Sequence, residues 1–127
     1  MDDKFNTTTP IYIQLVERIN RQIVSGKLRP GDKLPSVREL AVQAGVNPNT
    51  VQRTYRELEL SGVVETRRGQ GTFVTEKEEV LLSLRAKMKE ERIASFVRDM
   101  QEMGFSPEEI LEGIKNYLTL LKEEKKG

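Results

Sequence analysis

Apolar residues recur along this chain first with a helical period, then briefly with a strand period, then helically again. From Pro10 onward Tyr12, Leu15, Val16, Ile19 and Ile23 repeat at three- and four-residue spacing, which predicts a helix with one buried face that stops at Gly26. Thr9 before Pro10 has the form of an N-cap followed by proline at the first helical position. The stretch Leu28–Pro35 holds two prolines and a Pro-Gly turn, so it reads as a connector. Ser36 and Glu39 have capping-box spacing and open a short helix with Val37, Leu40 and Ala41 inward, ending at Gly45. Asn47-Pro48 opens the next helix, which runs to about Ser61 and stops at Gly62. Two helices joined by a tight glycine-containing turn make a helix-turn-helix.

Val63–Arg67 and Gly71–Thr75 read as two short strands joined through the glycine-rich sequence Arg68-Gly-Gln-Gly71. Three helices followed by a hairpin is the order of a winged helix. A boundary is expected near Thr75, where Thr75 and Glu78 have capping-box spacing at the head of a long helix that ends near Met103 and Gly104. Ser106, Pro107 and Glu109 combine an N-cap, a proline and capping-box spacing, and start a last helix. The expected fold is therefore mainly α with a small β-hairpin: a flexible N-terminus over residues 1–9, a winged helix-turn-helix over 10–75, and a C-terminal two-helix dimerisation segment over 76–127.

The dimerisation expectation comes from apolar residues with nothing to bury them. Leu81, Leu84, Met88, Ile93, Phe96, Val97, Met100 and Met103 lie on the long helix, and Ile110, Leu111, Ile114, Tyr117, Leu118 and Leu121 on the last one. Two helices cannot enclose a core, since even a domain of roughly 60 residues is marginal. Docking on the winged domain hides part of this surface, and a two-fold partner can hide the rest, with Leu81, Leu84, Met88, Phe96, Val97, Met100, Ile110, Ile114, Tyr117, Leu118 and Leu121 as the expected contacts. Lys89–Arg92 interrupts the apolar pattern and marks either a solvent-bridging span or a bend. The methionines suit core filling or, alternatively, a pliable ligand pocket.

The helix from Pro48 is the most informative segment. Val51, Tyr55 and Leu58 fall on one side, and Asn49, Gln52, Arg53 and Arg56 on the other, with no carboxylate among them. Amides and guanidiniums are the groups that pair bidentately with adenine and guanine edges. Asn47 and Thr50 in the first turn add short hydrogen-bonding side chains beside free backbone N–H groups. Any amphipathic helix also needs a polar face, so this face alone decides nothing. Arg38 stands in the first turn of its helix, where the macrodipole disfavours a cation; phosphate binding and a solvated ion pair both fit. Arg67, Arg68, Gly69, Gln70, Gly71 and Thr72 form a basic hairpin tip suited to a phosphate ridge or a minor groove, and an ordinary solvated turn also fits them. Convergence of all three features on one side is the stronger argument for DNA.

Composition narrows the alternatives. The chain has no cysteine and no histidine, which removes disulfides, Ser-His and Cys-His nucleophiles and the commonest metal ligand. No catalytic cluster, metal site or cofactor is expected, and paired acids such as Glu90-Glu91 read as solvated faces. No apolar run approaches a membrane span and the N-terminus has no secretory pattern, so the expected location is cytoplasmic. The net charge of +1 hides a mild asymmetry: eleven basic residues against eight acidic ones up to Thr75, then ten against twelve.

Pro10-Ile-Tyr-Ile-Gln-Leu15, then Ile23-Val-Ser-Gly-Lys-Leu-Arg-Pro-Gly-Asp-Lys-Leu-Pro-Ser-Val-Arg-Glu-Leu-Ala41, Gly45-Val-Asn-Pro-Asn-Thr-Val51 and Gly62-Val-Val-Glu-Thr-Arg-Arg-Gly-Gln-Gly-Thr-Phe-Val74 together resemble the DNA-binding domain of GntR-family bacterial regulators. The resemblance implies a winged helix with the 48–61 helix in the major groove and the wing tip in the minor groove. It carries DNA contact over to Arg38, Asn47, Asn49, Thr50 and Gly69. Pro48 and Gln52 stand where well-studied members have arginines, so a different operator sequence is implied, with Arg53 and Arg56 available to supply the charge. The short helical tail resembles the compact YtrA-like branch, which implies a homodimeric repressor of a palindromic double-stranded operator, often of a transporter operon. A small-molecule effector stays open, and a winged-helix protein-interaction module that does not bind DNA is the alternative.

Overall fold

The computed structural model describes residues 5–126. In chain order it contains α1 (Ile11–Val24), α2 (Val37–Ala44), α3 (Pro48–Leu60), β1 (Val64–Arg67), β2 (Gly71–Val74), α4 (Glu78–Glu102) and α5 (Pro107–Lys126). The chain divides into two compact units, residues 1–86 and 87–127, with the division inside α4.

The first unit is built on the helical period predicted above. Leu15, Ile19 and Ile23 of α1 and Val51, Tyr55 and Leu58 of α3 are buried in one cluster with Leu34, Ala41, Val63, Val64 and Val74. These side chains leave water at roughly 25 cal/mol per Å² of apolar surface, which holds α3 by its inner face and fixes its outer face. Val80, Leu81 and Leu84, from the start of α4, pack against the same cluster. Leu81 and Leu84 were expected at a dimer contact. They pack there and remain half-buried, so part of each stays open to a second copy.

Three helix starts show how far local chemistry decides. Ser36 accepts from the Glu39 N–H while the Glu39 carboxylate accepts from the Ser36 N–H, a complete capping box. Ser106 and Glu109 form a second one, at 3.1 Å in both directions. Thr75 does not form the expected third. It is fully buried at the end of the hairpin, where its N–H donates to Val63 O, and its hydroxyl accepts from Lys77 N–H, so α4 begins only at Glu78. At α1 the cap is Pro10, with no side-chain hydrogen bond, and Thr9 lies before it.

The segment ahead of α1 has hydrogen bonds of its own. Asn6 Oδ1 accepts from the Thr8 and Thr9 N–H groups, and Gln14 Nε2 donates to Thr9 O and Asn6 O. Arg18 lies 4.2 Å over the Phe5 ring. Of the expected flexible N-terminus over 1–9, residues 5–9 carry these contacts and residues 1–4 lie outside the described residues.

The two strands pair antiparallel from Val64–Val74 to Arg67–Gly71. The connector adds a third rung that the prolines concealed. Gly31 N–H donates to Val74 O, Val74 N–H to Asp32 O and Leu34 N–H to Thr72 O, with Lys33 bridged to Phe73. The hairpin is therefore backed along one edge and joined to the chain entering α2.

Tyr55 ties α3 to that same connector, its hydroxyl donating to Pro35 O. Burial, reinforced by the charge of Glu39, pushes its phenol up from 10 to about 12. The neutral phenol's contribution is fully present below pH 10. It is lost as pH rises from 10 to about 12, because the unfolded chain releases this proton first. Wild type is expected to lose more stability than Tyr55→Phe across that window, measured as unfolding midpoints at matched pH. Parallel curves for the two proteins would refute the assignment.

In the second unit α4 continues through Lys89–Arg92 without interruption, with those residues exposed. Gly104 turns the chain, with Phe105 N–H donating to Met100 O, and α5 follows. Ile110 is buried, whereas Phe96, Ile114, Tyr117, Leu118 and Leu121 are exposed, as are Ile93, Met103, Leu111 and Leu120. Met88, Val97 and Met100 are half-buried. Ile110 is therefore buried within the folded chain and is not accessible to a partner. The reason is physical: a helix shows its full apolar face in the sequence, and only part of it stays open after folding.

Candidate nucleic-acid interface

The outer face of α3 is set by the residues beneath it. With Val51, Thr54, Tyr55 and Leu58 buried, Asn49, Gln52, Arg53 and Arg56 are left exposed. At 100° per residue, Gln52, Arg56 and Asn49 fall within about 60° of arc, with Arg53 some 40° further round. Among the described residues no hydrogen bond or ion pair engages the side chains of Asn49, Gln52 or Arg56. They form a row of one guanidinium and two amides with their donors and acceptors open.

Arg53 differs. Its guanidinium lies 3.8 Å from the centre of the Tyr12 ring, and Nη2 donates to the Tyr12 hydroxyl at 3.1 Å. Thr54, on the same flank of α3, donates through its hydroxyl to Thr50 O. Arg53 is therefore drawn toward α1, out of line with the other three. Tyr12 is half-buried and counts, in the sequence, as one more member of the α1 apolar repeat. Its role as Arg53's seat has no sequence signal, because nothing in either local pattern links positions 41 residues apart.

The first turn of α3 is partly self-satisfied. Asn47 is the N-cap and accepts from the Asn49 N–H at 2.8 Å, which leaves its amide N–H groups for a partner. Pro48 occupies the first helical position and Thr50 is half-buried. Arg38 is exposed in the first turn of α2, beside the Ser36–Glu39 box. Hydrogen bonds from the Ser36 backbone and hydroxyl hold the Glu39 carboxyl below its ordinary range.

At the hairpin tip Gln70 N–H donates to Arg67 O, and Gly69 has φ 76° at the third position of that turn. A positive φ there is what a type II turn needs and what glycine provides without strain. Arg68, Gly69 and Gln70 are exposed; Gly71 and Thr72 are half-buried, Thr72 O being taken by Leu34 N–H. Arg67 lies 4.4 Å over the Phe73 ring, which orients its guanidinium along the hairpin.

The described residues contain no cluster of His, Cys, Asp and Glu able to hold a metal, and no helix long and apolar enough to cross a membrane. The arrangement offers amides, guanidiniums and an open turn. Its chemistry is recognition of polar edges and anions.

Residues 11–74 match the model of the bacterial regulatory proteins of the gntR family. The HTH-type transcriptional regulator YhcF of Bacillus subtilis is 53% identical over 92% of this chain and 97% of its own length. The HTH-type transcriptional repressor YtrA of the same organism is 39% identical over 95% and 94%. Among solved structures, a GntR family transcriptional regulator from Listeria monocytogenes superposes with a TM-score of 0.82 at 38% identity, covering 88% of this chain and 98% of that one. The DNA-binding domain of AraR in complex with operator ORX1 matches with a TM-score of 0.54 at 32% identity, over 57% of this chain and 93% of that domain.

Proposed function

The chain belongs to the GntR family of bacterial regulatory proteins, and from that premise we propose that it is a homodimeric repressor that occludes a palindromic operator of its own operon. The observation that carries this reading is the open row of Asn49, Gln52 and Arg56 on α3, whose side chains have no hydrogen-bond or ion-pair partner among the described residues. In this reading α3 enters the major groove and those three side chains read base edges. Arg38 and the N-terminal groups of α3 (Asn47 and Thr50) hold the adjacent phosphates. The wing, Arg67 to Thr72, lies along the neighbouring groove, with Gly69 allowing close approach of its backbone. Arg53, seated on Tyr12 at the α1 side, contacts the phosphate backbone. The operator complex of the AraR domain supports double-stranded DNA as the partner, and the repressor YtrA supports the direction of regulation.

The accessible apolar residues of α4 and α5, Phe96, Ile114, Tyr117, Leu118 and Leu121, support a second copy of the chain as the other partner. Leu81, Leu84, Met88, Val97 and Met100 add half-buried surface to that set. Two copies related by a two-fold axis present two α3 helices to a palindrome. The reading extends to a cytoplasmic regulator of a transporter operon that uses no cofactor or metal.

Gel-shift titration of the promoter of its own operon, against a scrambled duplex of equal length, tests the reading. Binding is expected to prefer the promoter by a factor of about 10³ or more and to weaken steeply with salt. Sedimentation of the complex is expected to give two chains per duplex. Equal affinity for both duplexes would refute the sequence-specific reading, and one chain per duplex would refute the dimer.

A further inference from the structure

Lys33 lies in the connector between α1 and α2, a segment whose sequence offers only turn chemistry. In the fold it is the residue that joins the wing to the start of α2. Its backbone bridges Phe73 of β2, and Leu34 N–H donates to Thr72 O beside it. Leu34 is buried and Lys33 exposed, as the alternation of an extended segment requires. Pairing puts Lys33, Phe73 and Gly71 on the hairpin face away from the core, together with Arg67, whose guanidinium already lies over Phe73.

The Lys33 side chain runs across Gly71. A Cβ built on Gly71 would sit 2.8 Å from Lys33 Cε and 3.8 Å from Cδ, and 3.6 Å from the ammonium nitrogen. Gly71 is therefore an open lane for this side chain as well as a residue at φ 123°. The other end of the reach is α2. The Lys33 charge is among the influences that lower the Glu39 carboxyl, after the Ser36 hydrogen bonds and the opposing effect of burial. Glu39 is held by the Ser36 capping box, and Lys33 makes no ion pair among the described residues. Glu65, paired with Phe73, is the acid on the same hairpin face.

An exposed ammonium group beside the wing, with its stem channelled by a glycine and no ion pair closing on it among the described residues, is placed to take an anion. We infer that Lys33 is a DNA-phosphate anchor on the wing face that also carries Arg67. It rests on the operator-binding reading above and adds to it a residue that fixes the wing's register on the duplex without reading sequence.

Lys33→Ala and Lys33→Arg, titrated against operator and scrambled duplex over a range of salt, test this. Lys33→Ala is expected to weaken both duplexes by roughly tenfold near 0.1 M salt, and to lower the salt slope by about one, as loss of one phosphate contact does. The preference for operator over scrambled DNA stays unchanged, Lys33→Arg retains most of the affinity, and the thermal midpoints of all three proteins coincide. An unchanged salt slope for Lys33→Ala overturns the inference, whether affinity holds or falls with the thermal midpoint. A wild-type chain that binds neither duplex removes the operator-binding reading and this one together. A wild type that binds while Lys33→Ala matches it removes this one alone.

Discussion

Leu58→Ala is expected to lower the free energy of unfolding by about 3–5 kcal/mol, the range for truncating a leucine whose surroundings cannot close the void. Leu58 has 0% of its surface exposed and sits in one cluster with Leu15, Ile19, Val51 and Val64, so α1, α3 and β1 line the same space. Against a typical total of 5–15 kcal/mol, that loss is enough to populate unfolded chains. It also carries a functional consequence, because the inner face of α3 is what fixes the outer one. Urea unfolding should show a lower midpoint with an unchanged slope, the signature of lost stability without a changed denatured state. Leu60→Ala, two residues on but exposed, serves as the control and is expected within about 0.5 kcal/mol of wild type. A loss at Leu58 no larger than that of the control would mean that α3 is not held by this cluster.

Much of this architecture is legible in the sequence, for reasons that can be named. The α1 and α3 repeats are strong because each helix buries one stripe and solvates the rest, and Gly26 and Gly62 mark where they stop. The Ser36–Glu39 and Ser106–Glu109 boxes are read correctly because both partners lie within one turn and little else competes for them. Thr75 carries the same local signal and fails. Its backbone is claimed by Val63 and its side chain is buried, so tertiary pairing overrides the cap. The connector was harder still. Pro30 and Pro35 forbid helix, and an extended edge segment is compatible with them, but only the presence of β2 turns that compatibility into a third rung. On the candidate interface, a helical wheel finds Asn49, Gln52 and Arg56 together. It cannot find that Tyr12 takes Arg53 aside, since that depends on where α1 crosses α3. Ile110 illustrates the same limit from the apolar side: periodicity gives the face, and packing decides which part of it is left for a partner.

The row on α3 and the seated Arg53 predict two different losses. Replacing Gln52 and Arg56 together by alanine is expected to remove most of the preference for operator DNA. Each bidentate side chain-to-base pair contributes about 1–3 kcal/mol of discrimination, so the double variant should fall by roughly 30-fold to 10⁴-fold on the operator. The two positions are one helical turn apart and share a groove, so their effects need not add. On scrambled duplex the same variant should lose far less, because only one positive charge has gone. Arg53→Ala is expected to behave in the opposite sense. Its guanidinium is held over Tyr12 on the α1 flank, which the proposed reading sets against the DNA backbone, so affinity should drop by a similar factor on every sequence. Competition titrations of wild type, the double variant and Arg53→Ala against a set of single-base operator changes separate the cases. The double variant should flatten the profile at the positions that Gln52 and Arg56 read, while Arg53→Ala shifts the whole profile without changing its shape. If Arg53→Ala flattens the profile and the double variant leaves it intact, the base-reading edge of α3 is the flank beside α1, and the assignment of the open row to the major groove is wrong.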